Sequence, residues 1–406
     1  MLYSLAIKNI IASKSRTFTI FLLSMFTTAF FIVYVAFTNG SHEQMIKNSV
    51  EIYTGYAHIN AKGYQEESDY DHLIEDAKQI ETFLNQKPFV LNFSPRFETY
   101  ALLSQKEKTV GSMLTGIVPS RESSFSHLKS SLIKGSYLED NDTRAIYMGS
   151  DLAKRLSVDV GDEIAMIGSS LDYSTAADLF KVKGIFKTGL FDFDSSSSFV
   201  NKDYLDSIMM SENKASYFVI RFIDNKAADN YVETLNSNLS QKYEVLSWKT
   251  LLFDLVQLMQ VDSLFGYISI SVFFVVIFFV IMIFNYVNIY ARVRQIGLLR
   301  ALGFTSKDIR VLLFNELLVI TLLSVSFGTI IGAIITYYLE IHPITISGLA
   351  ETYKEYGIIS DTLPTHFDIF TITWNALGIF VLNISSIFYP IYKINKLSVT
   401  EAMRYV

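Results

Sequence analysis

The residues able to do chemistry in this chain are scattered. Six histidines stand at positions 42, 58, 72, 127, 342 and 366, without the spacing of metal ligands, and there is no H-E-x-x-H. Cysteine is absent, which removes disulfides, thiolate metal sites and a Cys nucleophile. No G-x-x-x-x-G-K-[ST] loop is present to cradle nucleotide phosphates, and no G-x-S-x-G elbow to present a serine. Asp192 and Asp194 come nearest to a carboxylate pair, but they lie in the Ser-rich run DFDSSSS, which reads as a solvated turn. The net charge of −6 argues against nucleic acid as a partner. A catalytic reading has no constellation to rest on, and the chain is expected to be a non-enzyme that holds no metal or cofactor of its own.

The pattern that does point to a function is the basic segment 292–310, RVRQIGLLRALGFTSKDIR. Ile296, Leu299 and Leu302 can share one helical face. Gly303 can end that helix, and Thr305 or Ser306 can cap the next. A short helix with its basic residues facing out is expected, used either as a plain positively charged link or to dock on a partner.

The elements around it are four long apolar runs, at 17–38, 264–290, 311–339 and 367–392. Each is long enough to cross a hydrocarbon core of about 30 Å. The first is too long for a signal peptide, and no small-x-small site follows it. Their spacing predicts an α-helical membrane protein with a 1+3 arrangement and a large α/β domain between the first and second spans. The expected parts are an amphipathic helix (1–16), span one (17–38), the domain with stalk helices (39–262), span two (263–291), the link (292–310), span three (311–340), a short loop (341–366), span four (367–392) and a tail (393–406). Hydrophobic residues make up 50% and charged residues 18%, as expected for spans joined to a sizeable soluble domain.

Lys8, Lys14 and Arg16 precede span one. Arg292, Arg294, Arg300, Lys307 and Arg310 lie between spans two and three, and Lys393, Lys396 and Arg404 follow span four. The 341–366 loop has only Lys354 against Glu351, Glu355 and Asp361. Basic flanks stay in the cytoplasm, so both termini and the link are expected inside and the domain outside. Leu2, Leu5, Ala6 and Ile10 form the apolar face of the N-terminal helix, with Ser4, Lys8 and Asn9 elsewhere.

Within 39–262 the expected elements are helices at 71–84 and 227–239 and strands at 89–103, 108–117 and 214–222. A strand followed by a helix is expected at 145–156. Two alternating strands, EIAMIG and FKVKGIFK, are joined by a link long enough to project. Residues 192–198 read as a polar loop. Helical continuations of the spans are expected at 40–53 and 247–262.

The segment R-x-R-Q-I-G-L-L-R-A-L-G resembles the hallmark of the MacB/FtsX superfamily of ABC-transporter permeases. So do the closing pattern Y-P-I-Y-K-I-N-K-L-S-V-T-E-A-M-R (389–404) and the domain motifs TGIVPS, GSYL, MGSDLAKRLSVDVGD and FKVKGIFKTG, in that order. Within the superfamily the chain most resembles the lipoprotein-releasing LolC/LolE permeases, through its length, the lack of a fused ATPase, the 184–192 stretch and the R-Y near its end.

The resemblance implies a bacterial inner-membrane subunit with a MacB-like periplasmic core. It implies a dimer with itself or a paralogue, above two copies of a separate cytoplasmic ABC ATPase that binds ATP and Mg. Arg292, Arg294, Gln295, Gly297, Leu298, Arg300, Ala301, Leu302 and Gly303 would then couple to that ATPase. Ser169, Ser170, Leu171, Asp172 and Tyr173 would form a projecting hook for a periplasmic lipoprotein carrier, although this tip has neither proline nor arginine.

Lifting two or three acyl chains into water would cost on the order of 30 kcal/mol, at ~0.8 kcal/mol per CH₂. An acylated lipoprotein substrate would therefore need an apolar wall between the membrane lipid and the carrier. Phe26, Phe30, Phe31, Tyr34, Leu258, Met259, Phe265 and Ile268 are its candidates. Gly328-x-x-x-Gly332 predicts close helix packing, within the subunit or against a second permease. Asn285, Asn288 and Asn383 should find partners across helices, and Glu316 a basic neighbour such as Arg310. The alternatives are a MacB-type efflux or antimicrobial-peptide permease, an FtsX-type signalling subunit, or a membrane-anchored sensor.

Overall fold

The computed structural model describes residues 2–12, 14–124, 126–346, 348 and 362–395. Lys396, Arg404 and the E-A-M-R pattern lie outside the described residues, as do Glu351, Lys354, Glu355 and Asp361. The described chain divides into two units. One holds the residues up to Glu43, Leu258–Ile346 and those from Thr362 onward; the other holds Gln44–Gln257.

The first unit is helical. Four of its helical stretches are long and apolar enough to cross a membrane: Thr17–Thr54, Phe253–Tyr290, Ser306–Ile341 and Ile369–Lys393. The fourth is interrupted after Ser385 and resumes at Phe388. Pro390 is the cause, since it has no N–H to offer the carbonyl of Ser386 four residues back.

Spans one and three meet at glycines. A Cβ on Gly328 would lie 2.5 Å from the Met25 carbonyl oxygen and 2.7 Å from Thr28 Cβ; one on Gly332 would lie 3.0 Å from Ile32 Cβ. The GxxxG motif thus packs within the chain. Nearby, Phe31 packs with Val325 and Ile379, its ring 4.7 Å from that of Phe274.

Polar side chains tie the same helices together. Ser324 Oγ donates to Ser24 Oγ at 3.0 Å, and Asn383 Nδ2 donates to the same oxygen at 2.6 Å. Asn285 Nδ2 donates to Ser386 Oγ at 2.7 Å. In hydrocarbon each of these groups would otherwise be unsatisfied.

Among its described residues the second unit contains ten strands: β1 (Ala57–Ala61), β2 (Val90–Gln105), β3 (Lys108–Ile117), β4 (Leu132–Gly135), β5 (Ala145–Gly149), β6 (Glu163–Ser169), β7 (Thr175–Phe186), β8 (Ser197–Asn201), β9 (Tyr217–Phe222) and β10 (Tyr243–Ser247). Strand β2 belongs to two layers. Its first half, through Arg96, pairs with β9 in the antiparallel order β10-β1-β9-β2. Helices Ala77–Asn85 and Ala228–Asn238 cover that sheet, burying Ile80, Leu84, Val232 and Leu235 against Ile59, Phe218 and Ile220. The chain order β1-helix-β2-β9-helix-β10 is a ferredoxin-like split βαβ.

The second half of β2 starts a cycle of pairings, β2-β3-β8-β5-β7-β6 and back to β2, which closes a six-stranded barrel. Its interior holds Phe97, Leu114, Ile146, Met166, Phe180 and Val200. The barrel is inserted between β2 and β9.

Three expectations need correction. The helix predicted at 71–84 begins at Ala77, because Asp76 accepts a hydrogen bond from Gln79 N at 3.2 Å and caps it there. The polar loop at 192–198 is instead the helix Phe191–Ser196 leading into β8. Asp194 is not solvated: it is fully buried and accepts bonds from Thr188 N, Thr188 Oγ1 and Gly189 N at 2.9, 2.8 and 3.0 Å.

A buried polar cluster holds β2 to the incoming π-helical turn Val50–Thr54. Arg96 is fully buried, pairs with Glu122, and lies 3.8 Å from the centre of the Tyr53 ring. The Tyr53 hydroxyl donates to Glu98 at 2.5 Å, and Tyr217 donates to the same carboxylate. Burial and the Glu98 charge push both phenols well above their usual range. His58 stacks on Tyr217 at 4.3 Å, with Nε2 2.6 Å from the Thr54 carbonyl. Burial, and then the Arg96 charge, lower its pKa to about 3.

Two outcomes follow from this packing. Gly328→Ala should destabilise the full chain in detergent by about 1–3 kcal/mol through overpacking. Gly378→Ala, where nothing lies within 4 Å of the added carbon, should be nearly neutral in the same thermal melt; equal stability of the two variants would contradict the close contact.

The depressed His58 pKa means that the unfolded state binds a proton below about pH 6.5 that the folded state refuses down to about pH 3. Stability is therefore lost as pH falls through that window, by about 2 kcal/mol between pH 6.5 and 5. His58→Phe should flatten this slope in hydrogen exchange read at β1, whereas an unchanged slope would assign the pH dependence to other groups.

Candidate functional site

The basic segment forms the helix Val293–Ala301 between the second and third spans. On its inner face Gly297 is buried, and Val293 and Ile296 pack with Ile289, Ile309, Leu313, Leu317 and Ile387. The helix stops because Gly303 takes φ +101°, a left-handed geometry that favours glycine. Thr305 then caps the third span: its hydroxyl accepts from Asp308 N at 3.2 Å, and Asp308 accepts from Thr305 N at 2.9 Å. Arg300 Nη2 donates to Ser306 Oγ at 2.7 Å across the turn. Inner-face packing, a glycine stop and a capping box together hold this short helix at a set angle.

Its outer face is not purely basic. Arg294, Gln295, Leu298, Ala301, Leu302 and Gly303 are exposed, with Leu298 at 56% and Leu302 at 70%. The two leucines stand at i, i+4 and form an apolar ridge beside Arg294. Leu302 therefore does not share the buried face of Ile296.

Arg292 does not face out either. It is buried and bidentate to Glu316, with Nη1 to Oε2 at 2.6 Å and Nη2 to Oε1 at 3.2 Å. The basic neighbour of Glu316 is thus Arg292, and Arg310 is exposed. Asn9 Nδ2 also donates to Glu316 Oε1, at 2.6 Å. In the N-terminal helix Leu2–Ala12, Asn9 accordingly turns inward with Leu5, Ala6 and Ile10, while Tyr3, Ile7 and Ile11 are exposed. The sequence singled out Glu316 as an acid among apolar residues; nothing in the helical periodicity of 2–12 marked Asn9 as its partner.

The apolar residues proposed for a substrate wall separate into two groups. Phe26 and Phe30 are 63% and 57% exposed, and Tyr34 stacks on Phe30 at 6.3 Å. On span two, Phe265 and Ile268 are exposed and Leu258 and Met259 half-buried. Phe31 is fully buried among the spans and takes no part in an exposed surface. His42 Nε2 lies 2.8 Å from Asp262 Oδ2, joining the ends of spans one and two near this region.

The 169–173 tip does not project. Strands β6 and β7 pair as far as Ser169 and Thr175, leaving a short turn. Ser170 is buried, Leu171 N donates to the Met209 carbonyl at 3.1 Å, and Tyr70 donates to the Ser169 carbonyl at 2.7 Å. Tyr173, at φ +62°, is the exposed apolar group of the turn. Asp172 accepts bonds from Ser170 and Ser174, which lower its pKa to about 2. The loop looks long in sequence because Ser, Thr and Ala residues continue the strands without a strong apolar alternation.

Residues 267–399 match the FtsX-like permease C-terminal family. The chain is 25% identical over 334 residues to the lipoprotein-releasing system transmembrane protein LolC of Xylella fastidiosa (strain 9a5c), covering 78% of each. It is 24% identical over 258 residues to LolC of Buchnera aphidicola subsp. Schizaphis graminum, covering 60% of each. The periplasmic region of MacB from Actinobacillus actinomycetemcomitans aligns with 51% of this chain and 95% of that one, at 14% identity and a TM-score of 0.38. Residues 267–399, which include the helix Val293–Ala301 and the third span, thus carry the FtsX-like permease C-terminal match, and the chain over most of its length is similar to LolC.

Proposed function

We propose that this chain couples ATP hydrolysis by a separate cytoplasmic ATPase to movement of its α/β domain on the far side of the inner membrane, and that the work is extraction of acylated lipoproteins. ATP and Mg would be bound by the ATPase, in two copies, beneath this chain and a second permease subunit. The positive flanks at Lys8, Lys14, Arg294, Lys307 and Lys393 support an orientation with both termini and the 292–310 link inside and the 44–257 unit in the periplasm.

The observation that carries the coupling reading is the outer ridge of the helix Val293–Ala301. Two leucines exposed at a basic, water-facing turn are better explained by a partner surface than by lipid. The inner face is locked to the bundle, so force applied at Leu298 and Leu302 reaches the spans. Likeness to relatives named for lipoprotein release supports the substrate. Phe26, Phe30, Phe265 and Ile268 offer acyl chains a route along exposed apolar side chains. Carrier contact at the 169–173 turn would rest on the exposed Asp172 and Tyr173, since Ser170 is buried and Leu171 is tied to Met209.

Leu298→Asp with Leu302→Asp should weaken ATPase association about ten-fold or more, equivalent to about 1.4 kcal/mol, with little change in the melting temperature of the chain itself. Wild-type pull-down and wild-type ATP turnover would refute docking at this ridge. Phe30→Asp or Phe265→Asp should block lipoprotein release from proteoliposomes while ATP hydrolysis continues, and full release would sink the apolar route. Mass spectrometry of crosslinked, gently solubilised membranes tests the assembly. An ATPase with acylated proteins and a soluble carrier is expected; an adaptor with an outer-membrane channel would move the reading to efflux.

A further inference from the structure

We infer that Arg292, Glu316 and Asn9 act together as a positioning latch that makes the N-terminal helix, the coupling helix and the third span move as one body. The inference rests on the coupling role proposed above and adds residues to it. Arg292 stands in the two-residue break between the Phe253–Tyr290 helix and the Val293–Ala301 helix. Its N–H bonds back to the Ile289 carbonyl at 3.0 Å, and its own carbonyl accepts from Ile296 N at 3.0 Å, so it belongs to both helices.

Its guanidinium reaches beyond the two helices that its backbone joins. It crosses to Glu316 on the third span, with Nε also donating to Gln295 at 3.3 Å. Glu316 in turn accepts from Asn9, 307 positions away in the sequence. Arg292 and Glu316 are 9% and 7% exposed, so each would be left as a nearly bare charge if the other moved away.

Beside them is a cavity of about 20 Å³, room for one water molecule, lined by Asn285, Asn288, Arg292, Glu316, Ile10 and Thr17. Asn285 continues through Ser386 to the fourth span. The latch thus sits where spans two, three and four and the N-terminal helix converge. A buried ion pair is a poor device for stability, since well-packed apolar side chains of the same volume do as well or better. Placed at a hinge, it forbids the coupling helix from sliding on span three without separating two charges in a low dielectric.

The test uses the natural absence of cysteine. Spin labels at Lys8→Cys and Ala301→Cys in the full chain, in nanodiscs, report the distance between the N-terminal and coupling helices. A single narrow distribution is expected, and Glu316→Gln should broaden it at least two-fold. The swap Arg292→Glu with Glu316→Arg should restore it, as a charge pair would and a merely packed residue would not.

A narrow distribution in Glu316→Gln would overturn the latch, as would a swap no better than the single variants in chains that still melt cooperatively. This measurement needs no ATPase and no substrate, so its failure is separate from that of the transport reading. With the co-purified ATPase added, Glu316→Gln should lose at least ten-fold of the release per ATP hydrolysed, and undiminished coupling would equally overturn the latch.

Discussion

The helical unit is governed by the absence of water from the bilayer core. A backbone or side-chain polar group there has only other protein groups to bond with. Helices satisfy the backbone, and the side chains must meet one another. Ser24, Ser324 and Asn383 do so from three spans, and Asn285 meets Ser386 across two. Arg292, Glu316 and Asn9 do so beside the helix Val293–Ala301. Because these bonds join residues up to hundreds of positions apart, they set which helices are neighbours, a choice that apolar side chains in lipid leave nearly open. The glycines at 328 and 332 then allow the backbones to close up.

The 44–257 unit works under the opposite condition, with water outside and apolar cores within. One strand, β2, serves two of them. Its first half completes the split βαβ sheet and its second half the barrel, and the buried Arg96 marks the changeover. Arg96 is fixed by Glu122 and by the ring of Tyr53, so the turn Val50–Thr54, which carries Tyr53 into the unit, is attached where the two layers share a strand. A displacement of that turn therefore acts on both layers.

The helix Val293–Ala301 shows how a short element keeps two surfaces distinct. Nine residues suffice because its ends are chemically defined, by Arg292 at one side and by Gly303 and the Thr305–Asp308 box at the other. Its inner residues belong to the bundle and its outer leucines do not. A floppy link could carry the same charges but could not hold the two faces apart.

Much of this was legible in the chain itself. The four apolar runs, the strand and helix at 145–156, the strand at 108–117, the helix stop at Gly303 and the cap at Thr305 depend on local spacing, and local spacing is what a sequence displays. The 386–387 break is legible too, in the missing N–H of Pro390. What the sequence could not determine are pairings between distant residues. The Arg292 charge looked solvent-facing and Asn9 looked like part of a polar face until the fold brought Glu316 between them. Asp194 looked solvated until Thr188 and Gly189 folded over it, and the 169–173 tip looked free until Leu171 met Met209. Helical and strand periodicity follow from bonds within a few residues; the barrel, the latch and the pinned turn follow from long-range closure, whose partners are chosen only when the whole chain packs.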